Sequence, residues 1–336
     1  MKKTIIGLMA ATAMTAFSGV AMAASHGDVK PAIIYDLGGK FDKSFNEAAY
    51  NGAEEFKAET GVEFRDFEIQ NDAQREQALR KFAGDGNNPV VVAGFAWANA
   101  LTTVAEEFPD TNFAIIDMVV DKPNVRSIVF KEQEGSYLVG LMASLASKSG
   151  TVGFVGGMDI PLIRRFACGY AGGAKAGNAD AKVLQNMTGT TPAAWGDPTK
   201  GGEITKSQID QGADVVYHAA GGTGVGVLQA AADNGALGIG VDSNQNGIHP
   251  GKVLTSMLKR VDVAVKDAFM DAKNGEFTYG FTVLGLKEGG VDYAMDDNNK
   301  PLVSADMLAA VEAAKAKIIS GEISVHDYMS DESCPY

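Results

Sequence analysis

Short apolar runs alternate with longer stretches in which apolar positions return every three or four residues, and this alternation persists along nearly the whole chain. The runs fall near residues 31–37, 63–69, 89–95, 112–117 and 125–130, with helical patterns between them such as Glu76 to Phe82 and Asn99 to Phe108. The rhythm breaks near 130–150. There Lys131 to Ser147 reads as one long helix, and a second, similar series begins with Thr151-Val152-Gly153-Phe154-Val155-Gly156-Gly157. It continues near 182–189, 215–220 and 237–242. Strands separated by helices of about 10–18 residues imply right-handed βαβ units and parallel sheets. The chain is therefore expected to be α/β, with two doubly wound parallel-sheet lobes of alike architecture.

Beyond the second series, Val253 to Leu258 adds a strand and Val261 to Asn274 an amphipathic helix. Phe281 to Leu286 and Val291 to Met295 are strand-like again. The expected path takes 253–275 back to the first lobe and returns the remainder to the second. This assigns 24–130 plus 253–275 to the first lobe and 131–252 plus 276–336 to the second. Repeated crossing makes a multi-strand hinge. Open α/β sheets bind ligands at the carboxyl ends of their strands, here facing each other across a cleft.

The first 23 residues follow a different pattern. Lys2 and Lys3 form a positive start, Ile5 to Val20 an apolar, Ala-rich segment, and Ala21-Met22-Ala23 a small-residue cleavage site, which together read as a signal peptide over 1–23. No cysteine stands near the cut, so the expected mature protein is soluble and periplasmic rather than lipid-anchored. No later stretch reaches the roughly 18 consecutive apolar residues that a spanning helix needs.

The formal charge is −13, and loss of Lys2 and Lys3 takes it to about −15. Such an acidic balance argues against nucleic acid, whose phosphates demand clustered Lys and Arg. Arg164-Arg165 is expected on a helix, at the surface or in salt bridges. Two cysteines in an oxidising compartment, Cys168 and Cys334, are expected to bridge, tying the C-terminal tail to the helix around Cys168. A monomer is expected.

The most informative stretch is Asp36-Leu37-Gly38-Gly39-Lys40-Phe41-Asp42-Lys43-Ser44-Phe45-Asn46, which follows the first strand and opens the first helix. Two glycines let the backbone turn tightly, and the helix start supplies a capping hydroxyl (Ser44), free amides and an aromatic ring (Phe45). Other strand ends carry carboxylates: Asp117 closes Phe113-Ala114-Ile115-Ile116-Asp117, and Asp242 closes Ile239-Gly240-Val241-Asp242. Three strand-end carboxylates could bind a metal, act as an acid–base pair or accept ligand hydroxyls. They lie far apart in sequence without an accompanying His, which is not metal spacing. Ribose diol recognition fits better, because a carboxylate accepts two hydroxyl protons.

Gly222-Thr223-Gly224-Val225-Gly226 lies between a strand and a helix, with Asp242 20 residues after Gly222. It is a poor dinucleotide fingerprint, since Val227 stands where the third glycine belongs. Its better use is close approach of backbone amides to a ligand. His26, His218, His249 and His326 are isolated, and G-x-S-x-G, H-E-x-x-H and P-loop patterns are missing. No enzyme activity, catalytic residue or cofactor is expected.

Asp36-x-Gly38-Gly39-x-x-Asp42-Lys43-Ser44-Phe45-Asn46 resembles the N-terminal signature of the basic membrane protein (BMP) family, the substrate-binding components of ABC importers, which include a purine nucleoside receptor of spirochaetes. Further similar segments are Glu134-Gly135-Ser136-Tyr137-Leu138-x-Gly140, Trp195-x-Asp197-Pro198-x-Lys200-Gly201, Gly240-Val241-Asp242-x-x-Gln245 and Thr255-Ser256-Met257-Leu258-Lys259. They span most of the mature chain in the family's order. The resemblance implies a type I periplasmic-binding-protein fold, a purine nucleoside as ligand and an inner-membrane ABC permease as partner. It further implies a base held between Phe45 and Trp195, with Phe95 and Trp97 as reserve aromatics. Asp117 and Asp242 would take ribose hydroxyls, Asp36 or its neighbours the base edge, and Lys259 ribose or a place steadying Asp242. Two alternative readings are a periplasmic sensor that presents ligand to a membrane kinase and a periplasmic nucleoside hydrolase.

Overall fold

The computed structural model describes residues 29–336, so the expected signal peptide over 1–23 lies outside the described residues. The chain opens with β1 (Ala32–Tyr35), α1 (Phe45–Thr60), β2 (Arg65–Glu68), α2 (Arg75–Gly84), β3 (Val90–Ala93), α3 (Ala98–Glu107), β4 (Phe113–Ile116) and β5 (Val125–Phe130). A second series follows: α4 (Glu132–Ala146), β6 (Thr151–Met158), α5 (Pro161–Gly177), β7 (Lys182–Gly189), α6 (Pro198–Asp210), β8 (Val215–Ala219), α7 (Gly224–Asp233) and β9 (Leu237–Asp242). The last elements are β10 (Val253–Lys259), α8 (Val261–Asn274), β11 (Gly280–Leu284), β12 (Val291–Tyr293) and α9 (Ala305–Ser320).

The strands form two six-stranded sheets of matching order, β11-β5-β4-β3-β1-β2 and β12-β10-β9-β8-β6-β7. Central strands such as Ala32–Tyr35, Val90–Ala93 and Phe113–Ile116 are buried at every position, because helices cover both faces of a parallel sheet. This is the doubly wound α/β architecture that the sequence pattern predicts. Pairing is parallel except for β12, which runs antiparallel to β10. Among the described residues no helix is long and apolar enough to cross a membrane.

The chain crosses between lobes at 130–132, 259–261 and 284–291. The sequence reading placed 253–275 in the first lobe and everything after it in the second, and the strand pairing differs. β10 stays in the second sheet, paired in parallel with β9, and only α8 returns to the first lobe, where Phe269 packs edge-on against Phe56 of α1. β11 likewise belongs to the first sheet, alongside β5. Each return comes one strand later than expected. β10 is buried along nearly its whole length and β11 is an exposed edge strand, and an apolar run of either kind does not say which sheet it joins.

Cys168 and Cys334 form a disulfide that ties the C-terminal tail to α5. The tail is further held by Asp327, which pairs with Arg165 of α5.

Candidate functional site

The carboxyl ends of the two sheets face each other across a cavity lined by residues of both lobes, the place where open α/β sheets take small molecules. Its floor on the first-lobe side comes from the turn after β1. Gly38 and Gly39 have φ of 117° and 92°, values L side chains rarely adopt, and they carry the chain from Asp36 to the start of α1. The cap of α1 is Asp42 rather than the expected Ser44. The Asp42 carboxylate accepts the backbone N–H of Ser44 at 2.8 Å, of Asn46 at 3.1 Å and of Glu47 at 3.1 Å. Burial pushes the Asp42 carboxyl up to about 7 despite those amides. Ser44 is thereby free to donate from Oγ to Asp242 Oδ2 of the other lobe at 2.5 Å. This start projects Phe45 into the cavity.

Asp36 lines the cavity and is held from behind. Arg75 Nη2 lies 2.5 Å from Asp36 Oδ1, which also accepts the Leu37 N–H at 2.7 Å. Arg75 is buried, with its guanidinium 4.8 Å from the Trp97 ring. Burial raises the Asp36 pKa, and the Arg75 charge only partly offsets it. Gly94, at the end of β3, makes room for this carboxylate, since a Cβ there would stand 2.4 Å from Asp36 Oδ2. Trp195 depends on a second absent side chain: a Cβ on Gly157 would fall 2.1 Å from its indole Cζ3.

The most charged part of the wall joins the two lobes through Lys259, at the end of β10. Its ammonium, 2 % exposed, lies 2.6 Å from Asp117 Oδ1 and 3.0 Å from Glu132 Oε1. Phe45, Phe130 and Phe166 surround it, with ring centroids at 5.2, 5.1 and 5.6 Å. Burial opposes the lysine charge, but Asp117, Glu132 and Asp242 together hold its pKa above the ordinary lysine range. The Asp117 carboxyl, raised by burial and by Glu132 but lowered by Lys259, comes to about 6. Asp242 is also raised by burial, against the pull of Lys259 and the Ser44 hydroxyl. Glu132 Oε2 is bound in turn by Arg165 Nη1 at 2.9 Å, which also donates to the Phe130 carbonyl in the hinge.

The structure brings Asp36, Phe45, Asp117, Trp195, Asp242 and Lys259 to one cavity. Gly222 does not line it. It lies where the lobes meet, 3.2 Å from the Trp195 carbonyl when measured from an added Cβ, and Gly221 takes its place in the wall. Lys259 pairs with Asp117 directly and does not hydrogen-bond Asp242. Of the reserve aromatics, Phe95 lines the cavity, whereas Trp97 is fully buried beneath Arg75. The sequence reading missed Phe166, Leu162 and Ile163, contributed by α5. Their signal, an apolar face at helical spacing, is the same as that of an ordinary core helix. It also missed Glu132, whose neighbour Lys131 opens a helix with no distinguishing pattern. Among the described residues no group of His, Cys, Asp and Glu is placed to hold a metal ion; the clustered carboxylates already surround a lysine.

The sequence matches a family model along most of its length. The profile described as "ABC transporter substrate-binding protein PnrA-like" (Bmp) matches residues 31–328. The ABC transporter nucleoside-binding protein BmpA of Lactococcus lactis is 34% identical over 321 residues, covering 89% of this chain and 89% of that protein. An uncharacterized lipoprotein of Pyrococcus abyssi is 39% identical over 281 residues, covering 79% of this chain and 69% of its own length. Among solved structures, an ABC transporter solute-binding protein from Aeropyrum pernix superposes with a TM-score of 0.82 at 32% identity, covering 89% of this chain and 93% of that one.

Proposed function

The chain belongs to the Bmp family of PnrA-like ABC transporter substrate-binding proteins, and from that premise we propose that its cleft takes a purine nucleoside and that the protein delivers it to an inner-membrane permease. The family consists of binding proteins rather than enzymes, and its members work outside the cytoplasm with a small-molecule ligand and a membrane permease. The observation that carries the finer reading is the pair Asp117 and Asp242. Two carboxylates end strands of opposite lobes and line one cavity with the aromatic rings of Phe45 and Trp195. In this reading the flat base lies against aromatic faces, a contact worth about 0.5–1.5 kcal/mol per pair beyond its buried area. The ribose hydroxyls donate to Asp117 and Asp242, with charge-assisted bonds strengthened by exclusion of water. Asp36, steadied by Arg75, reads a donor on the base edge. The nucleoside-binding relative in Lactococcus lactis supports the ligand class.

We further propose that the mature protein is soluble and periplasmic, cut after Ala21-Met22-Ala23 with no cysteine there to carry a lipid, although some relatives are named lipoproteins. The mass of the mature N-terminus from exported protein tests this directly.

The decisive experiment strips carried-over ligand by unfolding and refolding, then titrates guanosine, adenosine, uridine, adenine and ribose by calorimetry. Tight binding of purine nucleosides with ribose inert supports the reading. Tight binding of adenine alone removes the ribose role from Asp117 and Asp242, and binding of none of the five overturns the ligand class.

A further inference from the structure

Beside the cavity, and outside its lining, residues 243–245 of the second lobe grip residues 43–44 of the first. Gln245 Oε1 lies 2.8 Å from the Val241 N–H, and a backbone N–H can only donate, which fixes that atom as the amide oxygen. The amide nitrogen then points across the cleft and donates to the Lys43 carbonyl at 2.9 Å. His218 Nε2 stands 2.8 Å from the same Oε1 and so must carry the ring proton. His218 is fully buried, and its Nδ1 has no partner among the described residues. The backbone of Gln245 is anchored as well, its N–H donating to Ser256 Oγ at 2.9 Å. Two residues before Gln245, Ser243 Oγ donates to the Ser44 carbonyl at 3.0 Å. Lys43 itself sits in the left-handed region, with φ of 63°.

We propose that Gln245 and Ser243 fasten the closed lobes together, with His218 as a positioning residue that aims the Gln245 amide at the first lobe. Because both second-lobe donors occupy Oε1, the amide orientation is fixed and its NH₂ group faces the Lys43 carbonyl. The clasped segment leads straight into Phe45, so the bonds close the lobes at the point where α1 delivers its ring to the cavity. Neither Gln245 nor Ser243 lines the cavity, and both act on the open–closed equilibrium, which scales apparent affinity by the closed fraction. Loss of one neutral hydrogen bond should shift that equilibrium about 2- to 12-fold. The inference deepens the reading of the cleft as the ligand site.

The test uses the full mature chain carrying Asn99→Cys and Thr199→Cys, labelled with a dye pair under non-reducing conditions so that the native disulfide stays closed. Interlobe energy transfer is read with and without guanosine in the parent and in Ser243→Ala, Gln245→Met and His218→Asn derivatives, alongside guanosine dissociation by stopped flow. The expected result is a closed fraction that falls in every variant. Guanosine dissociation should quicken by about 2- to 12-fold in Ser243→Ala and further in Gln245→Met, with association within twofold of the parent. Ser243→Ala removes one half-buried hydroxyl and leaves the core intact, so it decides the matter even where Gln245→Met folds poorly. A closed fraction unchanged in Ser243→Ala under both conditions overturns the proposal. Should guanosine fail to bind the parent, the ligand reading falls, while the ligand-free distance distribution still reports the clasp.

Discussion

Asp117 and Asp242 occupy equivalent places in the two sheets, at the carboxyl ends of β4 and β9, and both adopt the left-handed backbone, with φ of 74° and 63°. For a residue with a Cβ that conformation costs about 1–2 kcal/mol, least for Asp and Asn, whose short side chains bond locally. The same strain at both strand ends turns two carboxylates toward one cavity. A sequence free to choose would place glycine at each. That it places aspartate ties the strain to what the carboxylates do.

Stability should therefore favour glycine at Asp242. Asp242→Gly relieves the backbone and removes a buried carboxylate, whereas Asp242→Ala removes the same carboxylate and keeps the left-handed penalty. In urea unfolding of the ligand-free protein, Asp242→Gly should exceed Asp242→Ala by about 1 kcal/mol. Both should lose nucleoside affinity much more than free-base affinity. Equal stabilities would show that the backbone at 242 relaxes freely.

Phe45 offers a contrasting case, because its ring faces both the cavity and the Lys259 ammonium. Phe45→Ala should weaken every ligand that carries the base, with nucleoside and free base losing by the same factor, about tenfold for a stacked pair of 1–1.5 kcal/mol. Calorimetric titration with adenosine and adenine checks it. Unchanged affinity for both would assign the ring to packing alone.

How much of this was legible beforehand follows from where each signal lies. Strand-end aspartates and the Gly38-Gly39 turn are local, so alternation of strand and helix places them on one edge without knowledge of pairing. Gly222 and Gly221 differ by one residue, and which of them faces the cavity depends on the turn entering α7. The Lys259–Glu132–Arg165 chain joins residues from β10, α4 and α5, a meeting set by the hinge crossings, which the pattern misplaced by one strand. The role of Asp42 was hidden for another reason: Ser44 and Asp42 are both good caps, and only the contact with Asp242 across the cleft decides between them.

The disulfide should matter for stability and little for binding. It closes a separation of 166 residues, and a loop of that size restrains the unfolded chain by about 5 kcal/mol in the chain-entropy view, with about 2–5 kcal/mol the usual loss on removal. Cys168 and Cys334 lie away from the cavity lining. Cys334→Ser should lower the unfolding free energy in urea by about 2–5 kcal/mol while leaving the nucleoside Kd within about twofold. A large loss of affinity would mean that the tail, through Asp327 and Arg165, helps to hold Glu132 against Lys259.

Protonation of Asp117 sets opposite pH slopes for binding and for stability. Its carboxyl is raised to about 6 by burial and by Glu132, with Lys259 pulling the other way. A carboxyl whose folded pKa lies above its unfolded value near 3.9 binds more protons in the native state between those two values. Its contribution to stability is therefore full below about pH 4 and is lost as the pH rises through 6. Ribose hydroxyls need the other form, since only the carboxylate accepts two protons without offering one. Nucleoside affinity should accordingly rise by up to about tenfold from pH 5 to pH 7, one proton being released at Asp117, and the raised carboxyls of Asp36 and Asp242 act in the same direction. Asp117→Asn should flatten that rise and weaken binding at pH 7. Calorimetry at pH 5, 6 and 7 decides it. A Kd constant across the range would mean that Lys259 keeps Asp117 ionised throughout, or that the ribose finds its acceptor elsewhere.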